Sequence, residues 1–170
     1  IVENLNVGGV IKIGDGSSTA PSIAFTNDTD LGFYKPANGQ IGFAGSTVSI
    51  GVIGRYSVYL GQDAGGVRTD SLYNICIGTQ AGDAIVAGGT QNILIGSFAG
   101  NDITTGDYNV CMGYLAGSSG TTALTTGLHN IIIGRQSDVD DNSSDNVVIG
   151  YNSVVSGGSA SQLLKLLYRC

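Results

Sequence analysis

"NICIG" (74–78), "NILIG" (92–96), "NVCMG" (109–113), "NIIIG" (130–134) and "NVVIG" (146–150) are one staple written five times: an asparagine, three apolar residues and a glycine. A sixth copy, "SVYLG" (57–61), carries Ser57 in place of the asparagine. Between the closing glycines at 61, 78, 96, 113, 134 and 150 the intervals are 17, 18, 17, 21 and 16 residues. The unit extends to G-x-x-N, three apolar residues, G-x-x-A-G, nearly complete in "GTQNILIGSFAG" (89–100) and "GDYNVCMGYLAG" (106–117). A period near 17 is too short for a helical repeat or a propeller blade. It suits one coil of a β-solenoid, in which a strand, a turn and a return leg stack at the ~4.8 Å spacing of neighbouring strands. The expected architecture is all-β, a parallel β-solenoid (β-roll) of about six coils, in a rod on the order of 30 Å long. The irregular intervals become loops on its rim, the longest being "GTTALTTGLH" (120–129).

Side chains alternate across a strand, so the three apolar residues of a staple divide between two faces. We assign the outer pairs (Ile75/Ile77, Ile93/Ile95, Val110/Met112, Ile131/Ile133, Val147/Ile149) to the solenoid interior. The middle residues Tyr59, Cys76, Leu94, Cys111, Ile132 and Val148 then point outward, and they too are apolar. A strand apolar on both faces is one buried on both faces, so this middle stripe is expected to meet sister chains, with a homotrimer favoured. The alternative is that residues 1–48 of the same chain cover it. The five repeated asparagines are expected to hold turn geometry and to bond one another as an amide ladder. Cys76 and Cys111 share the middle position two coils apart, and twice ~4.8 Å exceeds the ~7 Å that a disulfide spans between Cα atoms. They are expected to be packed free thiols.

Composition agrees with short strands and tight turns. The 28 glycines in 170 residues are about 16%, against ~7% in average proteins, while the apolar share is 42% and charged residues only 12%. The net charge is −6, and the seven Lys and Arg are scattered, so no basic patch exists to release counterions from nucleic acid. No stretch approaches the ~20 apolar residues of a membrane helix, and no membrane insertion is expected. The chain opens on Ile1 rather than Met, from which we expect a fragment or processed product. Three parts are expected: an irregular or intertwined β segment (1–48), the solenoid (49–160) and a capping tail (161–170). Leu163, Leu164, Leu166 and Leu167 in that tail have the spacing of a short amphipathic helical turn.

At these residues the chain resembles two families. "NVVIGYNSVV" (146–155) resembles the N-S-V-A-I-G repeats of the left-handed β-roll heads of trimeric autotransporter adhesins. The longer unit, with its Thr- and Asn-rich loops, resembles repeats in the tail fibres of tailed phages. A second match lies in "GDGSSTAPSIAFTNDTDLGFYKPANGQIGFAGS" (14–46), which resembles a segment common in phage fibres through Gly16, Ser17, Pro21, Ser22, Ile23, Phe25, Asp28, Gly32, Phe33 and Tyr34. Together the likenesses cover about residues 14–155, and their conjunction favours the phage. They imply a homotrimeric virion fibre that meets other virion proteins and a host cell-surface glycan or protein receptor. A bacterial cell-surface adhesin head is the alternative, and a glycan-depolymerising tailspike a further one.

Chemistry is sparse. His129 is the one histidine, directly before Asn130, where other copies carry Tyr73, Gln91, Tyr108 and Asp145. That reads as an exposed turn position, without a nucleophile or base to complete a catalytic set. In "SDVDDNSSDN" (137–146) the residues Asp138, Asp140 and Asn142 have the opening spacing of a calcium loop. Ser143 and Ile149 stand where an EF-hand needs glycine and glutamate. A looser calcium site there competes with a solvated loop, and the loop is the expectation. The glycine-rich "GDGSS" (14–18) and "GGVR" (65–68) lack the P-loop lysine. Tyr114 and Tyr151 could stack on sugars or seal the rim between chains, and we expect the latter. The chain is read as a non-enzymatic structural module without cofactor.

Overall fold

The computed structural model describes residues 12–45, 48–66, 72–86, 88–118, 124–155 and 164–167. Residues 1–11 of the N-terminal segment, 119–123 of the longest insertion, Arg68 of "GGVR", and 161–163 and 168–170 of the tail, with Leu163 and Cys170, lie outside them. Among the described residues there are only strands and turns. Ile23–Phe25 (β1), Asp28–Tyr34 (β2), Ile41–Gly45 (β3) and Val48–Ile53 (β4) form an antiparallel meander. The meander continues, again antiparallel, onto Val58–Leu60 (β5). The switch to parallel pairing thus falls at β5, which pairs antiparallel with β4 and parallel with the next staple.

From β5 onward the staples stack as a parallel β-solenoid of about five turns. Val58–Leu60 is followed by Ile75–Ile77 (β6), Ile93–Ile95 (β7), Val110–Met112 (β8), Ile131–Ile133 (β9) and Val147–Gly150 (β11). Each pairs in parallel with the next, and equivalent staple residues stand opposite one another (Cys76 on Leu94, Leu94 on Cys111, Cys111 on Ile132). The return legs of the last coils add a small parallel pair, Asp138–Val139 (β10) with Val154–Val155 (β12). Leu164–Leu167 (β13) is a strand, not the helical turn its leucine spacing suggests, and it pairs in parallel with β11. Four such residues cannot nucleate a helix, whereas β11 offers a row of unpaired backbone groups to complete.

The structure inverts the two faces of the staple. Cys76, Leu94, Cys111, Ile132 and Val148 are wholly buried within the single chain, and Tyr59 nearly so. They are the solenoid core, not an outward stripe for sister chains. Ile85, Ile103, Leu124, Val139 and Val155 from the return legs, with Ala64, Ala81, Ala99 and Ala116 at the corners, pack into the same cluster. The coil itself covers the middle stripe, so residues 1–48 are not needed for it. The physical reason lies in strand parity: Asn74 and Cys76 are two residues apart and share a face. The five asparagines are fully buried, and they carry the middle residues inward with them.

The expected amide ladder is present and runs through the interior. The Asn92, Asn109, Asn130 and Asn146 backbone N–H groups each donate to Oδ1 of the asparagine one coil earlier, at 2.8, 2.9, 3.0 and 3.1 Å. The side-chain Nδ2 of each donates to that same oxygen, at 3.0–3.2 Å. The other Nδ2 proton reaches a carbonyl of the return leg: Gly89 from Asn74, Gly106 from Asn92, Gly127 from Asn109, Ser143 from Asn130. Ser57 substitutes at the first rung, its hydroxyl accepting from the Asn74 N–H at 3.2 Å. The staple glycine closes the strand where no other residue fits. Gly96 has φ 129°, and a Cβ there would lie 2.6 Å from the Gly113 carbonyl oxygen of the next coil.

Cys76 and Cys111 are free, buried thiols. Burial, and secondarily the nearby Asp138 carboxylate, pushes the Cys111 thiol far above its ordinary range. It is therefore held as the unreactive protonated form.

Candidate functional site

With the middle residues inside, the outer residues of each staple face away from the core. They form two columns: Val58, Ile75, Ile93, Val110, Ile131 and Val147, and beside them Leu60, Ile77, Ile95, Met112, Ile133 and Ile149. All twelve are aliphatic or Met, and all are half-buried or exposed, Ile75 and Ile77 at 37%. The two columns do not stop at β5. Val52 is buried opposite Tyr59, so its neighbours in β4 lie on the outer face, and Ile53 pairs with Val58. Ile41 pairs with Ile53, Phe43 with Gly51, and Phe33 with Phe43. Ile23, Phe33, Ile41 and Ile53 are all exposed, and the Phe33 and Phe43 rings meet at 5.4 Å. A shallow cleft of about 260 Å³ lies where Phe33 and Ile41 meet Ile13 and Tyr34 at this end. One sheet thus carries one uninterrupted apolar face from the meander through the solenoid.

Its size can be gauged. At about a third exposure each, and with a free aliphatic side chain presenting on the order of 150 Å², twelve residues leave about 600 Å² of contiguous apolar surface. The four exposed residues of the meander, at about half exposure each, add about 300 Å². Patches on monomeric proteins rarely exceed ~300–600 Å².

Two ladders border this face. At the strand entrances stand Tyr56, Tyr73, Gln91, Tyr108, His129 and Asp145. The last five adopt left-handed backbone, with φ 57–65°. Tyr56 and Tyr73 meet at 5.2 Å, and His129 stacks on Tyr108 at 5.0 Å. His129 is an exposed turn residue, as the repeat pattern implies; its Nδ1 lies 3.4 Å from Asp145 Oδ1, poised as an ion pair when the ring is protonated. At the strand exits Phe98 packs edge-on to Tyr114, and the Arg135 guanidinium lies 5.5 Å from both the Tyr114 and Tyr151 rings. Arg135 Nη1 also donates to Tyr151 Oη at 3.0 Å. These tyrosines are thus occupied with one another's coils.

The acidic run does not form the calcium loop its spacing suggests. Asp138 sits in β10, wholly buried, its Oδ1 accepting from the Val139 N–H. Asn142 lies on an exposed turn and bonds Thr126 Oγ1. Asp141, in the same acidic run, accepts from the Thr125 hydroxyl and N–H across to the preceding coil. That hydroxyl bond is the main reason its carboxyl is held below the ordinary range. Asp107 does the same for Thr90, whose N–H and hydroxyl donate to its Oδ1. Among the described residues no three His, Cys, Asp or Glu side chains converge as a metal-binding group. In the meander, Asp28 is raised from its ordinary value, chiefly by its hydrogen bond with Asp30. No helix among the described residues is long and apolar enough to cross a membrane.

Comparison with protein-family models, with curated proteins and with solved structures returned no match.

Proposed function

We propose that this chain is a structural fibre module whose long apolar face is covered by sister copies in a homotrimer. In this reading the trimer is part of a tailed-phage virion appendage and presents its rim loops to a host surface. The observation that carries it is the apolar face itself. With the core already complete inside each coil, twelve flanking aliphatic positions without one polar exception serve no purpose in a solitary chain. About 900 Å² per chain, summing the two patches above, compares with ~800 Å² per partner in a standard stable interface. The sequence likeness to phage fibres supplies the context. The work done is recognition by avidity: three identical rims hold weak contacts together, which raises effective affinity without new chemistry. A host glycan or protein is the receptor class, and no catalytic group is invoked.

A paired substitution tests the assembly. Ile93→Lys and Ile131→Lys, on the outer columns, should leave the circular dichroism spectrum intact but turn a trimer into monomers by sedimentation equilibrium. Leu94→Lys, in the core, should abolish folding. A wild-type chain that sediments as a folded monomer across the accessible concentration range would refute the reading. For attachment, the trimer but not the Ile93→Lys monomer should bind a panel of bacterial surface polysaccharides, and no reducing ends should be released. Release of reducing ends would instead make the protein a depolymerase.

A further inference from the structure

Charge on the two borders of the apolar face is arranged as if each border were the template for the other. At β5 the entrance border carries Arg55 and the exit border Asp63, both exposed. Toward the far end the signs exchange: the entrance border carries Asp145 beside His129, and the exit border carries Arg135. The intervening exit positions Thr79, Gln80, Ser97 and Phe98 are uncharged, and Asp107 on the entrance side is engaged with Thr90.

We infer that the partner on this face is a second copy of the chain running parallel and in register, aligned by Arg55 against Asp63 and Arg135 against Asp145 of adjacent subunits. The inference rests on the assembly reading above and specifies its direction. The geometry is simple. When copies are related by rotation about an axis along the rod, the strand entrances of one always border the strand exits of the next. Rotation alone introduces no axial slip. Arg55 and Asp63, which flank the same strand, therefore face each other at one level. Arg135 faces the level of His129, with Asp145 one step of about 4.8 Å away, inside the reach of an arginine. Every encounter between opposed carboxylates and guanidinium groups is then of opposite sign.

Antiparallel copies would also oppose unlike charges, pairing Arg55 with Asp145 and Arg135 with Asp63. The meander decides against them. Ile23, Phe33, Ile41 and Ile53 extend the apolar face beyond β5. Antiparallel packing centred on the six staples leaves this extension in water. Parallel packing lays it against its own counterparts.

Charge reversal of the full chain tests this, read by sedimentation equilibrium at low salt with folding checked by circular dichroism. Arg135→Asp and Asp145→Arg should each raise the dissociation concentration at least tenfold, and the double variant should return within threefold of wild type. Within one chain the two borders lie about 20 Å apart along the strand direction, so such rescue must act between subunits. The pair Arg55→Asp and Asp63→Arg provides the same cycle at the other end, should Arg135→Asp impair folding. Rescue of Arg135→Asp by Asp63→Arg instead would establish antiparallel packing and overturn the inference. An assembly indifferent to all four reversals would also overturn the inference and leave the homotrimer reading standing, whereas antiparallel packing, which a rotational trimer cannot adopt, would overturn both. A wild-type monomer would remove the homotrimer reading first.

Discussion

Replacing Asn109 with alanine isolates what the buried ladder contributes. Its side chain sits at the centre of the stack and fills every bonding position. Nδ2 donates to Asn92 Oδ1 and to the Gly127 carbonyl, while Oδ1 accepts the Asn130 N–H and an Asn130 Nδ2 proton. Alanine leaves three buried groups without partners: the Gly127 carbonyl, the Asn130 N–H and one Asn130 amide proton. At ~1–3 kcal/mol for each stranded group, with partial relaxation, the loss should be about 3–6 kcal/mol. Domains of this kind hold only ~5–15 kcal/mol in total, so such a loss should be plain in guanidinium unfolding at fixed chain concentration. Ser57→Ala, which removes a single bond at the first rung, should cost about 1 kcal/mol. Amide hydrogen exchange adds a local readout, because Asn130 should lose protection before the amides of β6. An Asn109→Ala protein within 1 kcal/mol of wild type, with Asn130 still protected, would show that the ladder is incidental.

Two further outcomes follow from the coil geometry. Gly96→Ala adds a methyl 2.6 Å from the Gly113 oxygen at a backbone conformation closed to other residues, and it should lower the unfolding midpoint more than Asn101→Ala in the turn that follows the same staple. Asp141 has a folded-state pKa below 3.8, so the stability it contributes is present above that ordinary value and lost as the pH falls through the depressed one. The drop in stability on acidification below about pH 4 should therefore be shallower in Asp141→Asn than in wild type.

The repeat period, the parallel stack and the amide ladder could all be read from the staples, because an Asn and a Gly at nearly constant spacing mark both corners of a strand. The direction of the staple could not be read from apolarity alone, since all three residues are apolar and either parity fits. Asn74 and Cys76 held the answer. An amide ladder is worth forming only away from water, and the residue two places on must follow it inward. The small Cys76 and Cys111 at the middle position, against isoleucines outside, also suit a narrow coil. Asp138, expected on a solvated loop because it opens an acidic, Ser- and Asn-rich run, lies instead in a strand, since the neighbouring Val139 packs into the core and Asp138 pairs with Val154. The edge pairing of Leu164–Leu167 depends on β11, seventeen residues upstream at Val147, which no local pattern announces.

The fixed points of each coil are an asparagine and a glycine, while the stretch between one staple and the next varies from 16 to 21 residues in period without disturbing the register. A lineage could therefore duplicate or delete a whole winding as a cassette, altering reach by one strand spacing and leaving its neighbours' bonds untouched. Ornament on the rim could be rewritten just as freely, so the parts that meet the outside world can change quickly on a shaft that does not.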